Sequence, residues 1–395
     1  MQACDRKSSR PGERLGPAYE QVVRDGQPVI VLRSFALARE FLRIAEGTRQ
    51  AGFEAQQIYR GGGVIKFPVL YQEGAEHRAQ RREIARFFTP RAVEARYRDM
   101  IGAWCDSLIG WAARQPLVAL DRVTSRLAMR VVSRVVGLTE ADIAGLERRL
   151  EVFFTPQPGP DAPLIPRTVG QVAGLANLGR FYARDVRPAI RARRRSPQDD
   201  LISHLLAKGY HDRDIVTEAI TYGAAGMVTT RQFLTMATWH LVERPDLRER
   251  FLAADSPGRQ ALLAEIIRVE SVASVLLRNT LRDVEIGPAG GRVTIPVGAL
   301  VEIDLGAVNA DTDVFGHDSL AIRPGRDLPP RIPLSGLSFG DGHHSCPGEY
   351  LALEETEIFL DKLFAHEVEI VQEPTITWDP VVRAYDLADF LVALH

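Results

Sequence analysis

A ten-residue run near the C-terminus constrains the fold more than any other part of the chain. It reads Phe339-Gly340-Asp341-Gly342-His343-His344-Ser345-Cys346-Pro347-Gly348. Gly340 and Gly342 permit backbone conformations that a side chain would block, so the loop can fold tightly around one sulfur and point amide groups at it. A helix is predicted to follow, because Pro347 suits a first turn and the residues after it continue a helical pattern. Cys346 would then lie at a helix N-terminus, where the pKa of a thiol falls and the thiolate can bind iron.

This run resembles the haem-binding loop of the cytochrome P450 family. That pattern has Phe, two glycines, a His or Arg two positions before the Cys and a Gly two positions after it. The matching residues are Phe339, Gly340, Gly342, His344, Cys346 and Gly348. The resemblance implies haem b (iron protoporphyrin IX) with Cys346 as the thiolate ligand of the iron, and molecular oxygen as a substrate. It places Phe339, Gly340, His344 and Gly348 among the cofactor-binding residues, and its motifs span about residues 70 to 365.

Composition excludes several classes of protein. Of the 395 residues, 45% are hydrophobic and 25% charged, as in an ordinary globular protein, and a net charge of -2 does not favour a nucleic-acid partner or an anionic membrane. The three cysteines are too few for a disulfide framework or a zinc site, which favours a reducing compartment. No apolar stretch is long enough to span a membrane, and the first residues are polar. We therefore expect a cytoplasmic monomer without a membrane partner.

The apolar spacing predicts a fold that is mainly α with a minor β portion. Spacing of three and four dominates about residues 71–271 and 347–365, whereas strand-like sequence lies in the parts at about 20–70 and 276–335. No linker divides the chain, so residues 1–395 are expected to form one domain. The resemblance implies the cytochrome P450 fold, with haem buried between a long central helix and the helix after the cysteine loop. The Pro-rich interval from Pro156 to Pro166 is predicted to be a loop and a candidate access lid.

The predicted helix over 212–243 carries the second chemical element. Its middle reads Ala225-Gly226-Met227-Val228-Thr229, where the family has Ala-Gly-x-acid-Thr. Thr229 is predicted to hydrogen-bond to the carbonyl of Ala225, which would loosen the helix and open a groove. By resemblance, Ala225, Gly226 and Thr229 are catalytic, and the alcohol relays protons to oxygen. Val228 replaces the acid that normally shares this task.

The missing acid leaves more than one chemistry open. In a monooxygenase, water held by Thr229 or a polar group of the substrate would deliver the protons instead. Alternatively, the enzyme removes hydrogen or electrons, as relatives that couple or cyclise aromatic rings do. A third reading is a non-catalytic haem sensor or carrier. For the enzyme, the resemblance implies a small organic substrate in bacterial secondary metabolism. Electrons would come from NAD(P)H through a reductase and a ferredoxin or flavodoxin-type donor.

A buried ion pair is expected at Glu265-Ile266-Ile267-Arg268. Its charged ends lie three residues apart and share one helix face. The family places a structural Glu-x-x-Arg pair at this position, upstream of the cysteine loop, and joins to it an Arg nearer the cysteine. Arg323 and Arg326 both satisfy that requirement, and the sequence does not choose between them.

Haem carries two propionates, whose burial requires cationic hydrogen-bond donors. The resemblance assigns this role to His77 and Arg81, which lie one helical turn apart, to Arg278 after the Glu-x-x-Arg helix, and to His344.

The substrate contacts are expected on two segments. Residues one or two turns before Thr229 should face the same cavity, and a second wall is expected after the Glu-x-x-Arg helix. The candidates are Thr221, Tyr222, Ala225, Val275, Leu276 and Leu277. Their largely apolar character predicts a hydrophobic or aromatic substrate, to which Tyr222 would offer a hydrogen bond.

Overall fold

The computed structural model describes residues 4–9, 16–24, 26–53, 55–60, 66–154, 164–379 and 383–395, with the backbone alone at 56, 57, 60, 154 and 164–171. The predicted loop and lid from Pro156 to Pro166 therefore lie largely outside the described residues. Their last three residues, Leu164 to Pro166, begin a helix instead.

Helices form most of the described structure. Their bounds are α1 Phe35–Leu42, α2 Ala55–Arg60, α3 Gly74–Ala85, α4 Pro90–Ala112, α5 Leu120–Val136, α6 Ile143–Glu151, α7 Leu164–Phe181, α8 Arg187–Arg195, α9 Leu201–Ala207, α10 Asp212–Glu243, α11 Pro245–Ala253, α12 Ser256–Val269, α13 Leu305–Val308, α14 Thr312–Phe315 and α15 Glu349–Leu363. Local signals explain several of these ends. Thr89 caps α4 by accepting from the N–H of Ala92 at 3.2 Å, with Pro90 in the first turn, and Gly137 ends α5 at a φ of 98°.

The strands are short. Their bounds are β1 Tyr19–Arg24, β2 Gln27–Leu32, β3 Thr48–Gln50, β4 Val118–Ala119, β5 Val275–Thr280, β6 Val284–Ile286, β7 Val293–Ile295, β8 Leu300–Asp304, β9 Val368–Gln372, β10 Thr375–Asp379, β11 Ala384–Ala388 and β12 Leu391–Leu394. The largest sheet has the order β1-β2-β8-β5-β3. Within it β2 pairs with β8 in parallel, so that Val29 lies opposite Leu300, and the other pairs are antiparallel.

The predicted limits of the β portion were wrong at the C-terminus. Four strands, β9 to β12, follow residue 365, and β4 lies within the part expected to be helical. β10 and β11 form a hairpin, whereas β12 pairs with both β9 and the two-residue β4. Strands this short carry too few alternations to stand out by period, and β4 owes its conformation to a partner far away in the chain.

Two hydrophobic clusters support the candidate site. The larger one is helical and includes the packing of α5 against α10, and the smaller one joins α1 to the largest sheet. The cysteine loop follows residues that pack on both clusters, since Leu337 belongs to the smaller and Phe339 contacts the larger. Among the described residues, no helix combines the length and apolar content needed to cross a bilayer.

The first described residues bind across the helical part. The N–H groups of Lys7 and Ser8 donate to Glu270, a carboxylate that also lies 2.8 Å from Nε2 of His240. Asp5 accepts from Arg244 at 2.6 Å. This segment is thus fixed by residues more than two hundred positions later in the chain.

Candidate active site

The cysteine loop is held by backbone geometry that needs glycine. Gly340 and Gly342 both have a φ of 71°, a conformation that favours glycine. A Cβ on Gly342 would lie 2.4 Å from the carbonyl oxygen of Leu42, so the loop packs directly against the end of α1. The N–H of Cys346 donates to the carbonyl of Phe339 at 2.7 Å, which closes the loop.

The thiol of Cys346 has solvent-accessible surface, yet burial raises its pKa. The thiol is thus surrounded by protein atoms but keeps accessible surface on which a ligand can bind. The N–H groups of Gly348 and Glu349 hydrogen-bond to it and oppose the rise, as does the charge of Arg81. The prediction of a lowered pKa was therefore wrong for the free thiol. Helix α15 begins only at Glu349, with Gly348 as its cap, so Cys346 and Pro347 lie before its first turn and desolvation dominates.

Three of the four predicted cationic donors meet beside the loop. The ring of His77 stacks on that of His344 with centroids 4.1 Å apart, and a guanidinium N–H of Arg81 donates to the carbonyl of Ser345. His77 is buried and its Nδ1 has no hydrogen-bond partner among the described residues. Burial, followed by the charges of His344 and Arg81, lowers the pKa of His77 to about 3.

Arg278 lies on β5 and is buried. Its guanidinium donates to the side chain of Gln50 and, at 2.9 Å, to the carbonyl of Leu277. Desolvation lowers its pKa to about 10. The charge of Glu73, which also contacts the histidines of the loop, acts on Arg278 and connects it electrostatically to the other donors.

Glu73 was not identified from the sequence. Both of its carboxylate oxygens lie 3.2 Å from Nε2 of His344, and one lies 3.4 Å from Nε2 of His343. Desolvation opposes ionisation of Glu73, but its interactions with the two histidines hold its pKa at about 2. Its position four residues before His77, at the start of α3, is the only sequence signal that would have found it.

The predicted buried pair at Glu265 and Arg268 forms. Both side chains are fully buried, and two guanidinium N–H groups donate to the two carboxylate oxygens at 2.8 Å. The structure also chooses between the two later arginines. Arg326 is buried and donates to Glu265 at 2.9 Å, whereas the side chain of Arg323 is 66% exposed and pairs with Asp318. Only the backbone N–H of Arg323 reaches Glu265, because the turn between the two arginines directs the guanidinium of Arg326 inward.

This ion pair extends to the cysteine loop through Asn309. Arg268 donates to the carbonyl of Asn309 at 2.6 Å, and the side-chain oxygen of Asn309 accepts from the N–H of Leu337 at 2.7 Å. A Cβ on Gly336, whose φ is 59°, would lie 2.3 Å from that oxygen. The network therefore fixes the backbone that leads into the loop.

The middle of α10 presents the predicted alcohol. The hydroxyl of Thr229 donates to the carbonyl of Ala225 at 2.6 Å, and both residues are exposed. Gly226 points elsewhere, since a Cβ there would lie 2.9 Å from Val132 of α5. The expected loosening is not observed, because α10 continues unbroken through this point. Val228 is half-buried and packs against the larger cluster.

Tyr222 lies on the same side of α10. Its ring stacks on Phe88 with centroids 6.1 Å apart, and its hydroxyl has no hydrogen-bond partner among the described residues. Burial raises the pKa of Tyr222 well above its usual value, with contributions from Glu218 and Cys346 that Arg81 opposes. These interactions place the cysteine loop and α10 on facing walls of one space.

The other predicted substrate residues divide between two environments. Leu276 borders the cysteine loop, since a Cβ on Gly340 would lie 3.9 Å from its Cδ1. Leu277 is half-buried, Val275 is buried, and the Thr221 hydroxyl donates to the carbonyl of Thr217 at 2.9 Å.

These observations fit a thiolate-bound haem. The Cys346 thiol is accessible, backbone N–H groups hydrogen-bond to it, and the Nδ1 of His77, which has no hydrogen-bond partner among the described residues, and the guanidinium of Arg81 lie near the loop. The accessible surface of Ala225 and Thr229 on α10 supplies an opposite wall.

Comparisons with known proteins agree on the family. A cytochrome P450 family model matches residues 257–377. The chain is 28% identical to cytochrome P450 130 of Mycobacterium tuberculosis, over 79% of this chain and 74% of that protein. It is also 28% identical to mycocyclosin synthase of the same organism, over 72% of this chain and 68% of that protein. A solved structure of P450BioI in complex with an acyl carrier protein ligated to hexadec-9Z-enoic acid matches with a TM-score of 0.77. That match is 21% identical and covers 96% of this chain and 95% of the other.

Proposed function

The chain belongs to the cytochrome P450 family of monooxygenases, and we propose that it binds haem b through Cys346 and oxidises a small hydrophobic or aromatic molecule. The observation that carries the assignment of the ligand is the accessible Cys346 thiol in the glycine-rich loop, with the N–H groups of Gly348 and Glu349 directed at it. When bound, a thiolate-ligated haem supplies the activation of molecular oxygen.

The residues around the sulfur would share the work of binding. His77, Arg81, Arg278 and His344 would donate to the two propionates, which would give the Nδ1 of His77 a partner and place Glu73 against the same donors. The loop residues Phe339, Gly340 and Gly348 would hold the thiolate from behind. Glu265, Arg268 and Arg326 would act only on the fold.

On the other wall, α10 would supply the alcohol. The Thr229 hydroxyl donates to Ala225 and can still accept a hydrogen bond, so it can hold a water molecule or pass a proton. Ala225 would leave room beside it, whereas Gly226 would act on the packing of α10 against Val132 of α5. Tyr222, Thr221, Leu276, Leu277 and Val275 would contact the substrate, with the Tyr222 hydroxyl as its polar contact.

Electrons would come from NAD(P)H through a reductase and a ferredoxin or flavodoxin-type donor. The surface beside the cysteine loop supports this partner. Arg39 and Arg43 of α1 pair with Asp341 of the loop at 2.8 and 3.1 Å, and Arg43 keeps 52% of its side chain exposed. Positive charge so close to the loop would attract an acidic electron carrier.

We further propose that residues 1–395 form one cytochrome P450 domain and that a monomer works in the cytoplasm. The packing of residues near Cys346 on both hydrophobic clusters supports one domain. The three free thiols, Cys4, Cys105 and Cys346, suit a reducing compartment.

A second function from the same centre is oxidative coupling or cyclisation of aromatic rings. The observation that favours it is Val228, an apolar side chain packed on the core where the family carries an acid. Bacterial secondary metabolism would suit either reaction.

The test compares metabolites of the source strain with those of a Cys346→Ala strain by accurate mass. For monooxygenation, the variant strain accumulates a compound lighter than the normal product by one oxygen. A compound heavier by two hydrogens, or half of a dimer, indicates coupling or cyclisation. Purified Cys346→Ala protein should also lose the red-shifted Soret band of the reduced carbon monoxide complex. Retention of that band would contradict the assignment of Cys346 as the iron ligand. Identical metabolite profiles of the two strains would favour a haem sensor or carrier.

A further inference from the structure

The acid that is missing beside Thr229 has a candidate substitute elsewhere on α10. Glu218 lies eleven residues earlier, and its side chain is 1% exposed. One carboxylate oxygen accepts from the side chain of Gln80 at 2.6 Å and from the N–H of Val69 at 3.1 Å. The other oxygen is buried and has no hydrogen-bond partner among the described residues. A fully buried carboxyl group with an unused oxygen lowers the stability of the fold, and such a group is expected where it has a further role.

Helix geometry places Glu218 and Thr229 on one face. At 3.6 residues per turn, Asp214, Glu218, Tyr222, Ala225 and Thr229 fall within about 80° of one another around the axis of α10. Tyr222 lies about 6 Å along the axis beyond Glu218, and Thr229 about 10.5 Å beyond Tyr222. The Tyr222 hydroxyl is buried and unpartnered among the described residues, and Ala225 leaves the face open between the two hydroxyls.

We propose that Glu218 supplies protons to Thr229 through the Tyr222 hydroxyl, in place of the acid absent at Val228, with water bridging Glu218 to Tyr222 and, beside Ala225, Tyr222 to Thr229. This rests on the proposed function. Each monooxygenation inserts one oxygen atom into the substrate and reduces the other to water, which takes two electrons and two protons. A proton leaves the carboxyl group of Glu218, and the carboxylate is reprotonated from solvent at the N-terminal end of α10.

That end of α10 lies close to solvent-exposed charged groups. Asp214, one turn before Glu218, accepts from the N–H of Lys66 at 2.9 Å, and the Nζ of Lys66 lies 3.4 Å from the exposed Glu76. Burial raises the pKa of Glu218 to about 7, so its carboxyl group can hold a proton near neutrality. The titratable or charged groups that act on Glu218 and Tyr222 are Lys66, Arg81, Tyr210, Asp214 and Cys346.

The experiment measures how reduced oxygen divides between hydrogen peroxide and water in the haem-loaded full chain. A plant-type ferredoxin with its NADPH-linked reductase supplies the electrons, and no organic substrate is needed. Glu218→Gln should raise the fraction of electrons recovered as hydrogen peroxide about threefold or more. Gln keeps an oxygen that can accept from Gln80 and Val69, so the local packing is preserved.

A pH profile and a rescue separate proton supply from structure. In the wild type the peroxide fraction should rise as pH increases through about 7, where Glu218 loses its proton, and Glu218→Gln should abolish that rise. Adding Val228→Asp to Glu218→Gln should return the fraction towards the wild-type value. The matched control is Glu355→Gln, which alters another buried carboxyl group with an unpartnered oxygen, on α15 rather than α10, and should leave the fraction unchanged.

Several outcomes overturn the proposal. An unchanged peroxide fraction and pH profile in Glu218→Gln would do so, as would a raised fraction that Val228→Asp fails to lower. If the wild type consumes no oxygen in the presence of the reductase system, the proposed function itself fails. If oxygen is consumed normally and Glu218→Gln divides it between hydrogen peroxide and water as the wild type does, the relay is wrong and the proposed function stands.

Discussion

The two walls of the candidate site differ in how completely their buried polar groups are paired. Behind the cysteine, all five guanidinium N–H groups of Arg268 donate hydrogen bonds at 2.6–3.3 Å. Across the space, Glu218 and Tyr222 of α10 each keep a buried polar atom with no hydrogen-bond partner among the described residues. An unpaired buried polar atom costs about 1–3 kcal/mol. The first wall is therefore organised without a ligand, whereas the second retains polar atoms that a ligand or water can satisfy.

The strongest test of this comparison removes the centre of the paired wall. Arg268→Ala should lower the free energy of unfolding by about 3–5 kcal/mol. It removes one of the two arginines that neutralise the buried carboxylate of Glu265. The midpoint of urea unfolding of the haem-loaded protein measures the change. Arg323→Ala is the matched control and should shift stability by less than about 0.5 kcal/mol, since that side chain is 66% exposed. Equal effects would show that the paired wall is not specially organised.

Glu355 on α15 is an exception among the buried groups on the cysteine side. It is buried, one of its oxygens has no partner among the described residues, and burial raises its pKa to about 8. Between about pH 4.5 and 8 the carboxyl group of Glu355 therefore stays protonated in the folded state, whereas it is ionised in the unfolded state, where its pKa is near the ordinary value of 4.5. Stability contributed by this group falls as pH rises from about 4.5 to 8. Glu355→Gln should remove that decline and raise the free energy of unfolding at pH 8 by about 2 kcal/mol.

Urea unfolding at pH 5 and pH 8 measures this effect. The difference between wild type and Glu355→Gln should be small at pH 5 and larger at pH 8. A difference that does not depend on pH would mean that Glu355 is already ionised in the folded protein.

The smallest effect on folding is expected at Thr229. Thr229→Ala should leave the free energy of unfolding within about 0.5 kcal/mol, because the lost hydrogen bond returns to a carbonyl of its own helix. It should nevertheless raise the hydrogen peroxide formed per NADPH several-fold, if the hydroxyl passes protons. Thr235→Ala removes a buried hydroxyl that donates to the carbonyl of Arg231 and also lies 2.9 Å from the hydroxyl of Thr124, and it should leave peroxide formation unchanged. Unchanged coupling in Thr229→Ala would remove this residue from the relay.

Long periodic elements were predictable from the sequence. The bounds of α10 agree with the prediction, and the pairing of Glu265 with Arg268 follows from their spacing on one face. The mainly α fold with a minor β portion is confirmed by its likeness to solved cytochrome P450 structures.

What the sequence missed depends on contacts between distant residues. Glu73 meets His344 across about 270 positions, and no local pattern announces such a contact. The choice of Arg326 over Arg323 depends on how one turn directs two guanidinium groups. The raised pKa of Cys346 results from desolvation by the assembled fold, which outweighs the nearby N–H groups.

The order of strands in the largest sheet has a consequence for synthesis on the ribosome. One neighbour of β2 in the sheet is β1, which directly precedes it in the sequence, and the other is β8. Val29 therefore cannot pair until Leu300 has been synthesised. Until that part of the chain has emerged, the β1–β2 hairpin presents an apolar edge that can pair with other nascent chains. A chaperone that shields this hairpin until β8 has been synthesised should therefore increase the yield of folded protein, whereas slower translation would prolong the exposure of the edge and lower it.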